Sequence, residues 1–183
     1  PNYATSLNNL AKYLAEDGQR DEALTTARKA VSIRRRLADQ NPTIYAPDLA
    51  MSLNNLAIYL SQVGQRSEAL TTIWESISLY RRLADQSPAT YIPELAKSLS
   101  NLALRLDEDG QHDEALKTVQ EAVDIYHGLV RSEPHTFSRD FIRCLNTRAS
   151  ILEHFDEPEE AARIRQERAG ALKRIEEMEA GND

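Results

Sequence analysis

The hexapeptide SLNNLA at residues 6–11 returns unchanged at residues 52–57. It returns again, with substitutions, as SLSNLA at 98–103 and as CLNTRA at 144–149, each time 46 residues further along the chain. A fixed period of this size indicates an array of stacked structural repeats. We therefore predict four repeats that form one domain over 1–183. Their bounds are 1–46, 47–92, 93–138 and 139–183, the last being a degenerate repeat with a C-terminal capping helix.

Each repeat is predicted to contain two helices. In the second repeat the apolar residues fall on one face of a helix with 3.6 residues per turn: Leu49, Leu53, Leu56, Ala57 and Leu60. Gly64 follows and suits the left-handed conformation that ends a helix, with Gly18 and Gly110 at the equivalent positions. The pattern therefore predicts an all-α chain of about eight helices and gives no indication of a strand.

The second helix of each repeat is predicted to begin behind an N-cap residue, which is Asp21, Ser67 or Asp113 in turn. In the second repeat it extends to about Gln86, where the segment SPATYIP, with its two prolines, is predicted to be a loop. That loop carries an aromatic residue in three repeats, as Tyr45, Tyr91 and Phe137. We expect these rings to fill the gap between stacked repeats.

Composition narrows the classes of partner and the compartment. The formal net charge of −7 argues against nucleic acid as the main partner, because phosphate binding needs a basic surface. A single cysteine, Cys144, cannot form an internal disulfide and indicates a reducing compartment. No secretion signal and no apolar run of membrane-spanning length is present. We expect a cytoplasmic protein without a membrane partner. Because the sequence opens inside a repeat without methionine, we also expect it to be a fragment of a longer protein.

Catalytic motifs are missing from the sequence. The four histidines show no metal-ligand spacing, and one cysteine cannot build a metal cluster alone. Neither a phosphate-binding glycine loop nor a nucleophile elbow is present. The sequence therefore predicts a protein that is not an enzyme and that holds no cofactor and no metal.

The repeat resembles the tetratricopeptide repeat, a helix–turn–helix unit. Leu56, Ala57 and Leu60 occupy the first-helix signature, and Gly64, Ala69 and Pro88 the later positions. The period of 46 residues exceeds the usual length of about 34. In this it is similar to kinesin light chain repeats and to the repeat regions of fungal and bacterial NACHT-, NB-ARC- or CHAT-type signalling proteins. The resemblance implies a right-handed α-solenoid that binds a peptide or protein surface in its concave groove, as the recognition or scaffold part of a larger intracellular signalling protein.

Helical phasing separates the two adjacent asparagines of the repeat. At about 100° per residue, Asn55 points almost directly away from the apolar face, whereas Asn54 lies at its flank. If the first helices line the groove, as the resemblance implies, one asparagine per repeat forms a column along it. Its amide offers donors and an acceptor to the main chain of an extended peptide. The predicted groove residues are Asn9, Asn55, Asn101, Asn8, Asn54, Asn146, Lys12, Met51, Ile58, Lys97, Leu104 and Arg143.

Three alternatives stay open at this point. The flank residues Asn8 and Asn54 either contact the ligand or bond the neighbouring helix and set the stacking angle. The charged tail of the fourth repeat, in which Asp156 replaces the turn glycine, is either a polar end cap or a docking surface. The whole array either binds a partner or is purely structural, associating with itself or docking within its own parent protein.

Overall fold

The computed structural model describes residues 2–154 and 157–180, so the predicted turn position Asp156 lies outside the described residues. The described part consists of α-helices joined by short turns, which confirms the predicted all-α fold class. Its elements are α1 (Asn2–Glu16), α2 (Arg20–Gln40), α3 (Pro42–Gln62), α4 (Arg66–Gln86), α5 (Pro88–Glu108), α6 (His112–Ser132), α7 (Pro134–His154) and α8 (Pro158–Ala180).

The chain divides into two compact units, residues 1–91 and 92–183, with the boundary inside α5. In the first unit α1 packs on α2, α2 on α3, and α3 on α4. In the second unit α6 packs on α7 and α7 on α8. Within each unit, antiparallel helix pairs stack in the manner of an α-solenoid. The repeat bounds and a single right-handed superhelix over 1–183 remain predictions.

The turn inside a repeat forms at the predicted glycines. Gly18, Gly64 and Gly110 have φ angles of 81°, 79° and 80°, a conformation that L side chains rarely adopt. The residue after the glycine closes the turn, as where the Gln65 amide donates to the Leu60 carbonyl over 2.9 Å. This six-to-one bond is the Schellman pattern at a helix end.

The predicted N-caps were wrong by two residues. Helices α2, α4 and α6 begin at Arg20, Arg66 and His112, and a glutamine precedes each of them without a side-chain capping bond. Asp21, Ser67 and Asp113 therefore lie in the first turn of their helices. The glycine turn already sets the entry angle of the chain, so no capping side chain is required to start these helices.

The predicted proline loop was also wrong, because consecutive repeats are joined by a single non-helical residue. Asn41 ends α2 and caps α3, its side-chain oxygen accepting from the Ile44 amide over 3.4 Å. Pro42 then starts α3 at the first helical position, where a missing N–H costs nothing. The helix continues through Pro47. The aromatic residues Tyr45, Tyr91 and Phe137 are thus helical and half-buried.

The core of the first unit joins α2 to α3. Ala27, Val31 and Ala38 from α2 meet Leu53 and Leu60 from α3, and Tyr45 packs against them. In the second unit the largest buried side chains are Leu99, Leu102, Val119, Val123, Phe141, Leu145 and Ile151. No helix among the described residues has the length and apolarity that a bilayer crossing requires.

Candidate functional site

A cleft of about 380 Å³ opens between α1 and α3 in the first unit. Six of the predicted groove residues line it, because the 46-residue step places equivalent positions of two helices side by side. The full lining is Asn8, Asn9, Lys12, Ala15, Glu16, Met51, Asn55, Ile58, Tyr59 and Gln62.

The two asparagines of each SLNNLA segment have different surroundings. Asn8 and Asn54 are buried, and Asn8 donates a 2.7 Å hydrogen bond to Ser52 on the neighbouring helix. Asn9 is exposed and Asn55 half-buried, and no hydrogen bond of either side chain is found among residues 2–154 and 157–180. The structure therefore gives Asn8 a packing role, while Asn9 and Asn55 hold amides towards the cleft that a ligand can use.

The remaining cleft wall is apolar with one charged edge. Met51 and Ile58 expose their side chains next to Tyr59. Burial, together with the carboxylate of Glu16, raises the pKa of the Tyr59 hydroxyl. Lys12 and Glu16 lie one turn apart on α1 with Nζ and Oε1 3.7 Å apart, so both signs of charge stand on the same edge. The cleft wall thus combines an apolar surface with one edge of mixed charge.

Sequence phasing missed Ala15 and Tyr59. Both lie on the flank of their helix. Helical phase gives the direction of such a side chain, but it does not identify the neighbouring helix that the side chain contacts. The signal that could have found Tyr59 is its equivalence to Tyr13 one repeat earlier, which marks this flank position as one that holds a large aromatic side chain in two repeats. In the structure Tyr59 is buried, and it forms part of the core cluster.

The predicted groove residues of the second unit are engaged locally. Asn101 is half-buried and has a bonding partner, and Leu104 is half-buried. Lys97 pairs with Glu94 over 3.9 Å, and Arg143 pairs with Asp140. The side-chain oxygen of Asn146 accepts a 2.8 Å hydrogen bond from the Arg168 guanidinium.

A second depression, of about 510 Å³, lies between α2 and α4 on another side of the first unit. Two ion pairs cross it: Arg28 to Glu68 and Arg35 to Glu75, both at 2.7 Å. Because these charges already satisfy one another, the depression presents no free charge of either pair to a ligand. The depression therefore lies at the contact between two stacked helix pairs.

A cluster of titratable side chains lies in the second unit. In the second unit the nearly buried carboxylate of Asp107 contacts His112 and His154, each through Nδ1 at 2.7 Å. Among the described residues no group of three histidine, cysteine or acidic side chains could hold a metal ion. The Asp107 cluster therefore ties the turn between α5 and α6 to the end of α7.

Comparison with known proteins agrees with the helical-repeat fold. The tetratricopeptide repeat family model matches residues 4–42, 49–88 and 95–130. No curated protein matches the chain.

Solved structures with a similar fold have low sequence identity. BtubC from P. vanneervenii superposes with a TM-score of 0.77 at 17% identity, over 94% of this chain and 64% of BtubC, so the chain spans less than two thirds of that protein. The nearly identical tetratricopeptide-like repeats of a Podosopora anserina protein described as a kinesin light chain give a TM-score of 0.57 at 19% identity, over 98% and 96% of the two chains. The DHF58 filament gives 0.54 at 17% identity, over 99% and 96%. At these identities the likeness shows the fold alone.

Proposed function

Because this chain belongs to the tetratricopeptide repeat family, we propose that it is a protein-interaction module that binds an extended peptide segment in the cleft between α1 and α3. Proteins of this family generally bind other proteins or peptides and are typically non-catalytic. The chain has the same role in the proposal: it recognises a partner and performs no chemistry on it.

One observation carries the proposal. Asn9 and Asn55, at equivalent positions of adjacent repeats, line the same cleft with amides that bond to no other described residue. Packed helices lie about 8–10 Å apart, which is close to the length of three residues of extended chain at about 3.3 Å each. Each asparagine can therefore donate to and accept from one peptide unit of an extended ligand. The units bonded by Asn9 and Asn55 would lie three residues apart.

The walls of the cleft define the side chains that the ligand carries. An apolar ligand side chain between Met51 and Ile58 removes apolar surface from water, at about 25 cal/mol per Å². Next to it, the Lys12–Glu16 edge offers both signs of charge at an exposed and weakly selective position. The partner segment is therefore uncharged at its centre, with an apolar anchor and polar flanks.

The setting of the module is part of the same proposal. The resemblance of the 46-residue repeat to the repeat regions of NACHT-, NB-ARC- or CHAT-type proteins supports a recognition or scaffold role in a larger intracellular signalling protein. The lone and buried Cys144 supports a reducing, cytoplasmic location.

Self-association is a second candidate function. It is favoured by the fold likeness to a protein that forms a filament, DHF58. In that case the array binds copies of itself, and the cleft is not the primary interaction surface.

The cleft proposal is tested with peptides selected from a random nine-residue library on the full chain. We expect the double variant Asn9→Ala/Asn55→Ala to lose at least about tenfold in affinity for a selected peptide, since the hydrogen bonds of both amides are lost. The matched control is Gln40→Ala/Gln86→Ala, which removes two exposed amides that are also one repeat apart. Equal binding by the asparagine variant and the wild type would overturn the proposal.

A further inference from the structure

The hydroxyl of Tyr59 is a polar group that the fold leaves open to the cleft. Tyr59 lines the cleft between α1 and α3, although the residue is only 7% exposed. Its hydroxyl forms no hydrogen bond with residues 2–154 and 157–180. Among the described residues, the enclosed side-chain atoms without a partner are arginine nitrogens, so the Tyr59 hydroxyl is not enclosed. Buried tyrosine hydroxyls usually have a partner, and here a ligand in the cleft can supply it.

A carboxylate stands across the cleft from this hydroxyl. Glu16 lies on α1 and acts on Tyr59, because burial and, after it, the Glu16 carboxylate raise the pKa of the hydroxyl. The hydroxyl therefore stays protonated at neutral pH, and it can donate or accept. The partner of Glu16 is Lys12, with Nζ and Oε1 3.7 Å apart and both side chains more than half exposed. Exposed pairs of this kind are weak, so a better-placed cation can bind the carboxylate.

The carboxylate and the two asparagine amides lie along the same cleft. Asn9 and Glu16 are seven residues apart on α1, which is nearly two turns and about 10 Å along the helix axis. Because helical side chains lean towards the N-terminus, the Glu16 carboxylate lies back towards the level of Asn9. Ala15 and Ile58 form the apolar wall of this interval. A ligand side chain that extends from the amides to Glu16 therefore needs an apolar stem and a polar head.

Charge and the number of donors select arginine for this position. Glu16 repels a carboxylate head, and the guanidinium of arginine has five donors against three for the ammonium of lysine. Two of these donors can bond the carboxylate side by side, and a third can reach the Tyr59 oxygen. The third repeat holds such a pair within its own chain. There the guanidinium of Arg105 donates to Glu108, the equivalent of Glu16 two repeats later, over 2.9 Å.

We propose that the cleft between α1 and α3 selects partner segments with an arginine, whose guanidinium bonds Glu16 and Tyr59 and whose stem lies along Ile58. The arginine site rests on the proposed function, since it assigns a side chain to the peptide that Asn9 and Asn55 hold. It places the arginine on one polar flank of that peptide, beside the apolar anchor. The formal net charge of −7 favours the encounter with a basic segment.

Selection on the full chain gives the first test. Peptides taken from the random nine-residue library should share an arginine at a fixed distance from their apolar residue. One such peptide is then compared by fluorescence anisotropy with its norleucine form, which keeps an apolar stem but has no guanidinium. We expect the wild type to bind the arginine form at least about tenfold more tightly. Equal affinity for the two forms overturns the proposal.

Two conservative variants locate the head of the arginine. Glu16→Gln and Tyr59→Phe should each weaken binding of the arginine peptide about fivefold or more, and should change binding of the norleucine peptide less than about twofold. The matched controls are Glu22→Gln, which changes an exposed acid on α2, and Tyr13→Phe, at the equivalent position one repeat earlier. Circular dichroism confirms that all four variants fold. An equal loss with both peptides would give Glu16 and Tyr59 a structural role and contradict the arginine site.

Lys12 distinguishes an arginine ligand from an acidic one. Lys12→Met removes the partner of Glu16, so the arginine peptide should bind about twofold more tightly or better. Weaker binding would show that Lys12 itself contacts the ligand, and the arginine site would then be wrong.

The asparagine variant separates the two proposals. If the selected peptides lack arginine but lose affinity for Asn9→Ala/Asn55→Ala, the cleft binds peptides and only the arginine site fails. If the arginine peptide binds that variant as it binds the wild type, the cleft proposal itself fails.

Discussion

The Asn8 side chain donates a hydrogen bond to the Ser52 hydroxyl over 2.7 Å, and both side chains are buried between α1 and α3. Ser52 in turn donates to the carbonyl of Asp48 over 3.0 Å. The next residue, Asn9, is exposed at the cleft. The adjacent residues Asn8 and Asn9 thus have different roles. Asn8 fixes the stacking of two repeats, and Asn9 faces solvent.

Asn8→Ala and Asn9→Ala should therefore differ in their effect on stability. We expect Asn8→Ala to lower the free energy of unfolding by about 1–3 kcal/mol, because a buried hydrogen bond is lost. Asn9→Ala should change it by less than about 0.5 kcal/mol, as at other surface positions. Urea unfolding followed by circular dichroism measures both. A large loss in Asn9→Ala would show that Asn9 is structural and would weaken the cleft proposal.

Arg34 is a buried charge at a position where the second and third repeats have tyrosine. It is 2% exposed, and its guanidinium lies 3.1 Å from the half-exposed carboxylate of Asp48. The equivalent residues Tyr80 and Tyr126 are also buried. We expect Asp48→Ala to cost about 2 kcal/mol or more, since it removes the only carboxylate that the described residues place beside the buried arginine charge and leaves it the neutral Asp48 carbonyl and Thr5 hydroxyl.

Arg34→Tyr should be close to neutral or stabilising, because a buried ion pair is replaced by the side chain that this position holds in the next repeats. The double variant Arg34→Tyr/Asp48→Ala should then be more stable than Asp48→Ala alone. A double-mutant cycle in urea gives the coupling. Additive losses from the two substitutions would contradict the interpretation of Arg34 as a charge that depends on Asp48.

Gly110 and Gly128 of the second unit form a matched pair for backbone effects. A Cβ added at either glycine meets no atom within 4 Å, but only Gly110 has a positive φ, of +80°. Gly110→Ala should lower the free energy of unfolding by about 1 kcal/mol, because L residues are strained in this conformation. Gly128→Ala, inside α6, should raise it by about 0.5–1 kcal/mol. Effects of the same sign in thermal unfolding would rule out the turn conformation as the cause.

Cys144 should be unreactive in the folded protein. Burial raises the pKa of its thiol to about 12, against a weaker opposing effect of the hydrogen bond with Ser100. The reactive thiolate is therefore scarce at pH 8, and the side chain is shielded from reagents. We expect labelling by an aromatic disulfide reagent to be slow in the native protein and fast in urea. Rapid labelling of the native chain would show that α7 opens without unfolding of the second unit.

The sequence anticipated the helix pairs and their glycine turns because both depend on local physics. Apolar spacing fixes the buried stripe of a helix, and a glycine step of 46 residues marks the positions that need a positive φ. The same local rules overestimated how strongly prolines interrupt a helix. Pro47 lies inside α3, although an isolated helix would be interrupted there, because packing against α2 and α4 stabilises the helix on both sides of it.

By itself, then, the sequence determined that this is an array of helical repeats and that Asn9 and Asn55 occupy equivalent positions facing away from the core. The tertiary structure alone decided what each flank meets: that Asn8 bonds Ser52, that Tyr59 closes the cleft while Tyr13 stays exposed, and that Arg34 depends on Asp48. The physical reason is that helical phase gives a side chain's direction relative to its own helix. Which atoms stand opposite depends on how separate helices are stacked on one another.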